Sequence, residues 1–115
     1  MCKVTRPFVF LILMFVLCSC RENSGYYELI NDSSETILYA KVRICNQESE
    51  FRNLPPGKME GKKYRVTSDS HYVVLVRFES GKEILKEIGY VTNGFDFANR
   101  ITILRDEVTL STIPH

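Results

Sequence analysis

The chain reads as a small antiparallel β-sandwich of seven or eight strands. Three observations lead there: beyond residue 25 apolar residues recur with period two, turn residues punctuate these runs about every 8–12 positions, and no segment keeps a helical period. Composition agrees. With 44% hydrophobic and 25% charged residues the chain is an ordinary globular one, and 115 residues suffice for one domain.

The first run, YYELIN (26–31), ends in the turn residues Asp32, Ser33 and Ser34. TILYAKVRIC (36–45) puts Leu38, Ala40, Val42 and Ile44 on one face and Tyr39, Lys41 and Arg43 on the other, the pattern of a half-buried strand. EFRNL (50–54) is stopped by Pro55-Pro56-Gly57, which cannot sit inside a ladder. KKYRVT (62–67) runs into the turn Ser68-Asp69-Ser70.

HYVVLVRFE (71–79) aligns Tyr72, Val74, Val76 and Phe78 on one face, with apolar Val73 and Leu75 on the other, which predicts a central strand. Ser80-Gly81 then turns the chain into KEILKEIGYV (82–91). Ile84, Leu85 and Ile88 there imitate a helical spacing, but the turn before and Gly89 after predict a strand. TNGFDFAN (92–99) reads as a loop before RITIL (100–104). Arg105, Asp106 and Glu107 turn the chain into the last run, VTLSTI (108–113).

The first twenty residues differ in kind. Lys3 and Arg6 precede ten strongly apolar residues, FVFLILMFVL (8–17), followed by small ones: the layout of a secretory signal. The run is too short for the roughly 20 residues of a membrane span, and Arg21-Glu22 interrupts it. LCSC (17–20) resembles the lipobox of bacterial lipoprotein precursors, with Leu17 at −3, Cys18 and Ser19 next, and Cys20 at +1. Cys18 departs from the more usual Ala, Ser or Thr.

The resemblance implies a signal peptide over 1–19, a diacylglyceryl group on Cys20 and acylation of the new amino terminus, a two-signal anchor. It also implies, from Arg21 rather than Asp after the cysteine, the periplasmic face of the outer membrane of a Gram-negative bacterium. Residues 20–25 become a lipidated cysteine and short tether, reaching at most roughly 20 Å, and 26–115 the sandwich. The competing reading is plain secretion after cleavage at Cys18 or Ser19. A redox or metal role for Cys18 and Cys20 is excluded by their spacing, which is not C-x-x-C. Cys45 is then the second cysteine of the mature chain and reads as a small packed residue near a strand end.

The order of features also resembles bacterial Ig-like sandwich domains of cell-envelope proteins. The residues that carry it are the Asn-led turn (31–34), the long alternating strand (36–45), Leu54-Pro55-Pro56-Gly57 and the Tyr-containing strand (71–79). That resemblance implies a fold and no functional residue.

Chemistry is sparse. His71 and His115 are the two histidines, no nucleophile motif or metal-ligand spacing appears, and the acids are scattered among Lys and Arg. A small hydrolase would need acids converging on His71. No catalytic, metal or cofactor residue is therefore expected. Loss of Lys3 and Arg6 takes the formal charge from +1 to −1, so no electrostatic case for nucleic acid exists. Asn31-Asp32-Ser33 fits a glycosylation sequon but doubles as a turn, and Asn93-Gly94 is turn chemistry.

Two stretches are candidates for binding. Lys58, Lys62, Lys63 and Arg65 could meet an anionic surface or simply protect a strand edge. Tyr90, Phe95 and Phe97 could form a partner-binding loop or plug the end of the core. The expectation is a membrane-anchored envelope lipoprotein with a non-enzymatic, protein-binding role: an accessory subunit, an inhibitor or an immunity factor. The alternative is a structural, lipid- or lipopolysaccharide-surface role. No small-molecule substrate is evident.

Overall fold

The structure, a computed structural model, describes residues 23–114. The expected signal peptide, Cys20, the first residues of the expected tether and His115 lie outside the described residues. Eight strands follow in chain order: β1 (Asn23–Asn31), β2 (Ile37–Ile44), β3 (Gln47–Leu54), β4 (Met59–Val66), β5 (Ser70–Phe78), β6 (Glu83–Val91), β7 (Phe97–Ile103) and β8 (Val108–Thr112). They form two four-stranded sheets, β4-β1-β7-β8 and β3-β2-β5-β6. This is the small β-sandwich that the alternation predicts.

The β1–β7 pair is parallel and the other five pairings are antiparallel. An immunoglobulin constant domain, numbered in chain order, pairs strands 1-2-5-4 and 3-6-7. The present chain keeps the two layers and the 2-5 neighbours, and sets strand 1 between 4 and 7. As predicted, β5 is central, flanked by β2 and β6.

The core lies between the layers. Leu29, Ile37, Ala40, Val42, Leu54, Tyr72, Val74, Val76, Phe78, Val91, Ile101 and Ile103 are wholly inaccessible. Each buried large aliphatic or aromatic side chain contributes about 1.5–3 kcal/mol.

Four local features differ from the sequence reading; one is that residues 97–99, read as the end of a loop, open β7. The register of β2 against β5 shifts between Ile37 and Tyr39, so Ile37 turns inward and Leu38, expected in the core, is exposed. Cys45 is not a strand residue. With Asn46 it forms a two-residue turn, both at positive φ (49° and 58°), that joins β2 to β3 as a hairpin. Finally, β1 starts at Asn23, so half of the expected tether is strand.

The strand directions sort the loops into two ends. Beside the start of β1 lie the Cys45-Asn46 turn, residues 67–69 and the β6–β7 loop (92–96). The opposite end carries residues 32–36, 55–58, 79–82 and 104–107. There the buried Asn31 takes hydrogen bonds from the backbone and hydroxyl of Ser33 and donates to the carbonyls of Glu35 and Leu54.

Candidate functional site

The candidate loop owes its shape to a bulge. Ser70 pairs with Val91 and Tyr72 with Ile88, so Gly89 and Tyr90 together oppose His71. Gly89 sits at φ 74°, the left-handed residue of a glycine bulge. A Cβ at that point would fall 2.3 Å from Leu110 Cδ2. The extra residue returns Val91 to the core and leaves Tyr90 63% exposed.

Two carboxylates then brace the loop. Asp69 accepts hydrogen bonds from the Asn93 amide (2.7 Å) and the Tyr90 hydroxyl (3.3 Å). The negative charge of Asp69 is the main reason the Tyr90 phenol sits above its ordinary pKa. Asp96 accepts from Asn23 Nδ2 (3.0 Å) and the Ser24 amide (2.8 Å), tying the loop to the first residues of β1. Of the three aromatics proposed as anchors, Phe95 is 62% exposed at the tip. Phe97 is half-buried and packs against the core. Phe97 therefore plugs the end of the sandwich, and the exposed pair is Tyr90 and Phe95.

Val73 and Leu75 form the second apolar face that the sequence gives the central strand β5. Both face outward from β5 and are half-buried, and Leu75 pairs directly with Leu85 of β6, which is 70% exposed. Charged side chains flank these three along β5 and β6 and on β2, while β6 is the open edge of the sheet. In register, Leu75 lies between Lys41 and Leu85, Val73 between Arg43 and Glu87, and Arg77 between Tyr39 and Glu83. Arg77 donates to Glu83 at 2.8 Å, and Arg52 lies over the Tyr39 ring at 5.0 Å. An apolar centre within a charged rim is the anatomy of a protein interface. Leu85 is not among the candidate site residues that the sequence offers, although the Ser80-Gly81 turn fixes the register that sets it opposite Leu75.

At the loop end of that face, Arg43, Asn46, Ser70, His71, Val73 and Glu87 line a shallow depression. His71 Nε2 is 3.7 Å from Glu87 Oε1. The Ser70 hydroxyl accepts from the Cys45 amide and contacts the His71 carbonyl, so backbone groups rather than the imidazole hold it. Among the described residues no three His, Cys, Asp or Glu side chains converge as metal ligands. Cys45 is buried, its thiol donating to the Ser68 carbonyl at 3.4 Å.

Inside this end lies a cluster of phenols. Tyr27 meets Tyr72 edge-on at 5.7 Å and Phe51 at 6.3 Å, and Tyr64 meets Tyr72 at 6.1 Å. The Tyr64 and Tyr72 oxygens share a 2.8 Å hydrogen bond, and Asn99 Nδ2 donates to Tyr72 at 3.0 Å. Burial raises all three phenols, Tyr27 to about 12. The mutually bonded hydroxyls of Tyr64 and Tyr72 specify packing.

The basic residues are spread out. Lys63 and Arg65 share the outward parity of β4, Lys62 takes the opposite parity, and Lys58 precedes the strand at the far end. From 58 to 65 the strand rises about 23 Å. Gln47 caps the β4 edge, accepting from the Arg65 amide (3.1 Å) and donating to its carbonyl (2.7 Å).

No protein-family profile matches the chain, and no curated protein does. Among solved structures, an NMR structure of a protein from Eubacterium rectale is similar at a TM-score of 0.57 and 14% identity, covering 81% of this chain and 91% of that one. That likeness concerns the fold alone. A structure of a disulfide-locked mutant of intermedilysin with human CD59 matches at a TM-score of 0.38 and 7% identity, covering 80% of this chain and 24% of that one.

Proposed function

We propose that this chain is a bacterial lipoprotein, anchored through Cys20 to the periplasmic face of the outer membrane, whose sandwich is a non-enzymatic protein-binding module. The address rests on the LCSC signal-end motif. The binding role rests on one observation: Leu85, 70% exposed on the edge strand β6, stands beside Leu75 and Val73, with Lys41, Arg43, Arg77, Glu83 and Glu87 flanking them. An accessory subunit, an inhibitor or an immunity factor would each use such a face. The alternative, a lipid-surface role for the basic edge, gains little from four cations spread along a strand and over both of its faces.

Two experiments test the halves separately. Cys20→Ser abolishes acyl labelling and leaves unprocessed precursor; continued acylation of this variant refutes the anchor. A photo-crosslinking amino acid at position 85, in cells, gives a discrete protein adduct that Leu75→Glu removes, whereas one at position 63 on the other sheet gives none. Absence of adducts at 85, or equal adducts from both positions, rejects the proposed face.

A further inference from the structure

The β6–β7 loop sits where the chain leaves toward its anchor. Asn23 is the first residue of β1, and its side chain and the Ser24 amide bond the same oxygen of Asp96. Phe95 is the next residue back along the loop. Cys20 precedes Asn23 by three residues, a reach of at most about 11 Å even when fully extended.

That reach limits what can lie between the loop and the bilayer. An α-helix with its side chains is about 10–12 Å across, so the gap hardly admits one layer of foreign protein. On the lipoprotein reading, the surface at this end faces lipid. It is also dressed for lipid: Phe95 projects at the tip, Tyr90 is equally exposed with its hydroxyl held, and two acids, Asp69 and Asp96, are engaged in holding the loop. A braced loop that spends a phenylalanine on its exposed tip has not used it for the core, as it has Phe97. Tyrosine favours the headgroup level of a bilayer, and phenylalanine is among the side chains that interfacial segments bury at the headgroup–acyl boundary.

We infer that Phe95, with Tyr90 at the end of β6 that leads into the loop, inserts into the interfacial layer of the membrane that holds the lipid anchor. The insertion orients the domain; the acyl chains supply the attachment. It stands the sandwich on its loop end and turns the Leu75–Leu85 face sideways, along the membrane, toward a neighbouring protein. This inference rests on the lipoprotein reading, and it assigns the loop to lipid, leaving protein contact to the sheet.

The chain contains no tryptophan, so Phe95→Trp creates a unique fluorophore at the tip. The full-length variant is expressed in a Gram-negative host, purified, checked for acylation by mass spectrometry and reconstituted into phosphatidylethanolamine–phosphatidylglycerol vesicles. Leu85→Trp is the reference. The expected result is an acylated protein whose indole emission from position 95 is blue-shifted and lost to lipids brominated near the carbonyl level, while the reference fluorophore keeps its solvent-like emission. An acylated protein with unquenched, solvent-like emission at 95 overturns the inference and leaves the anchor standing. Equal quenching at both positions overturns the upright posture. A protein without acyl chains overturns the lipoprotein reading and the inference with it.

Discussion

Asn31 is fully buried, yet each polar atom of its side chain has a partner: Nδ2 donates to the carbonyls of Glu35 and Leu54 at 2.8 Å, and Oδ1 accepts from Ser33. Both amide protons are used, which leaves no place for the glycan that the sequon formally allows. Asn31→Asp keeps the shape and the acceptor but removes both donors and sets a carboxylate against two carbonyls. It is expected to cost about 3 kcal/mol or more, read as a lowered urea midpoint; an unchanged midpoint would show that these bonds contribute nothing. The phenols Tyr27, Tyr64 and Tyr72 set the alkaline limit. Burial raises their folded-state pKa values, so above about pH 10 the unfolded chain loses protons first and stability falls as pH rises. For Tyr27, at about 12, the loss between pH 10 and 12 is roughly 2–3 kcal/mol. Urea midpoints that decline above about pH 10, with three phenols ionising only on unfolding, meet this expectation. A flat midpoint, or ionisation of all six tyrosines in the folded protein, contradicts it.

The strands themselves were legible because one face of each sheet must be buried, which imposes period two wherever β-sheet exists. All eight runs emerge at or near their expected places, including β6, whose spacing imitates a helix. What escaped were points where neighbours decide. Nothing in a cysteine announces the left-handed turn at Cys45, and no local pattern reveals the register shift that turns Leu38 outward. Nor could the sequence say that the β6–β7 loop lies beside the start of β1, since that follows from the order of strands across two sheets. Gly25 is the sharpest instance. It reads as tether, but in β1 it lies opposite Tyr64 of β4, and a Cβ there would stand 2.1 Å from the Tyr64 ring. The ring covers the glycine and reaches the Tyr72 hydroxyl. Gly25→Ala must therefore displace a buried phenol and is expected to cost about 1–3 kcal/mol. Full stability of this variant in urea would place residue 25 outside the folded unit.

For the molecule as a whole the decisive length is the interval between Cys20 and Asn23. One phenylalanine and one tyrosine give a loop only a weak hold on a bilayer, so on the proposed reading their contact depends on the local concentration that the anchor enforces. That concentration falls with roughly the 3/2 power of linker length once the linker exceeds the span. A flexible Gly/Ser spacer of about 20 residues between Glu22 and Asn23 has a root-mean-square reach of about 25 Å, more than twice the native interval. The spacer leaves the strand ladders untouched, so the thermal midpoint should not move. In the Phe95→Trp background, quenching by brominated lipid should instead be largely lost while acylation and vesicle attachment persist. Quenching that survives the spacer would mean that the loop binds lipid by its own affinity, and that the short tether does not set the posture.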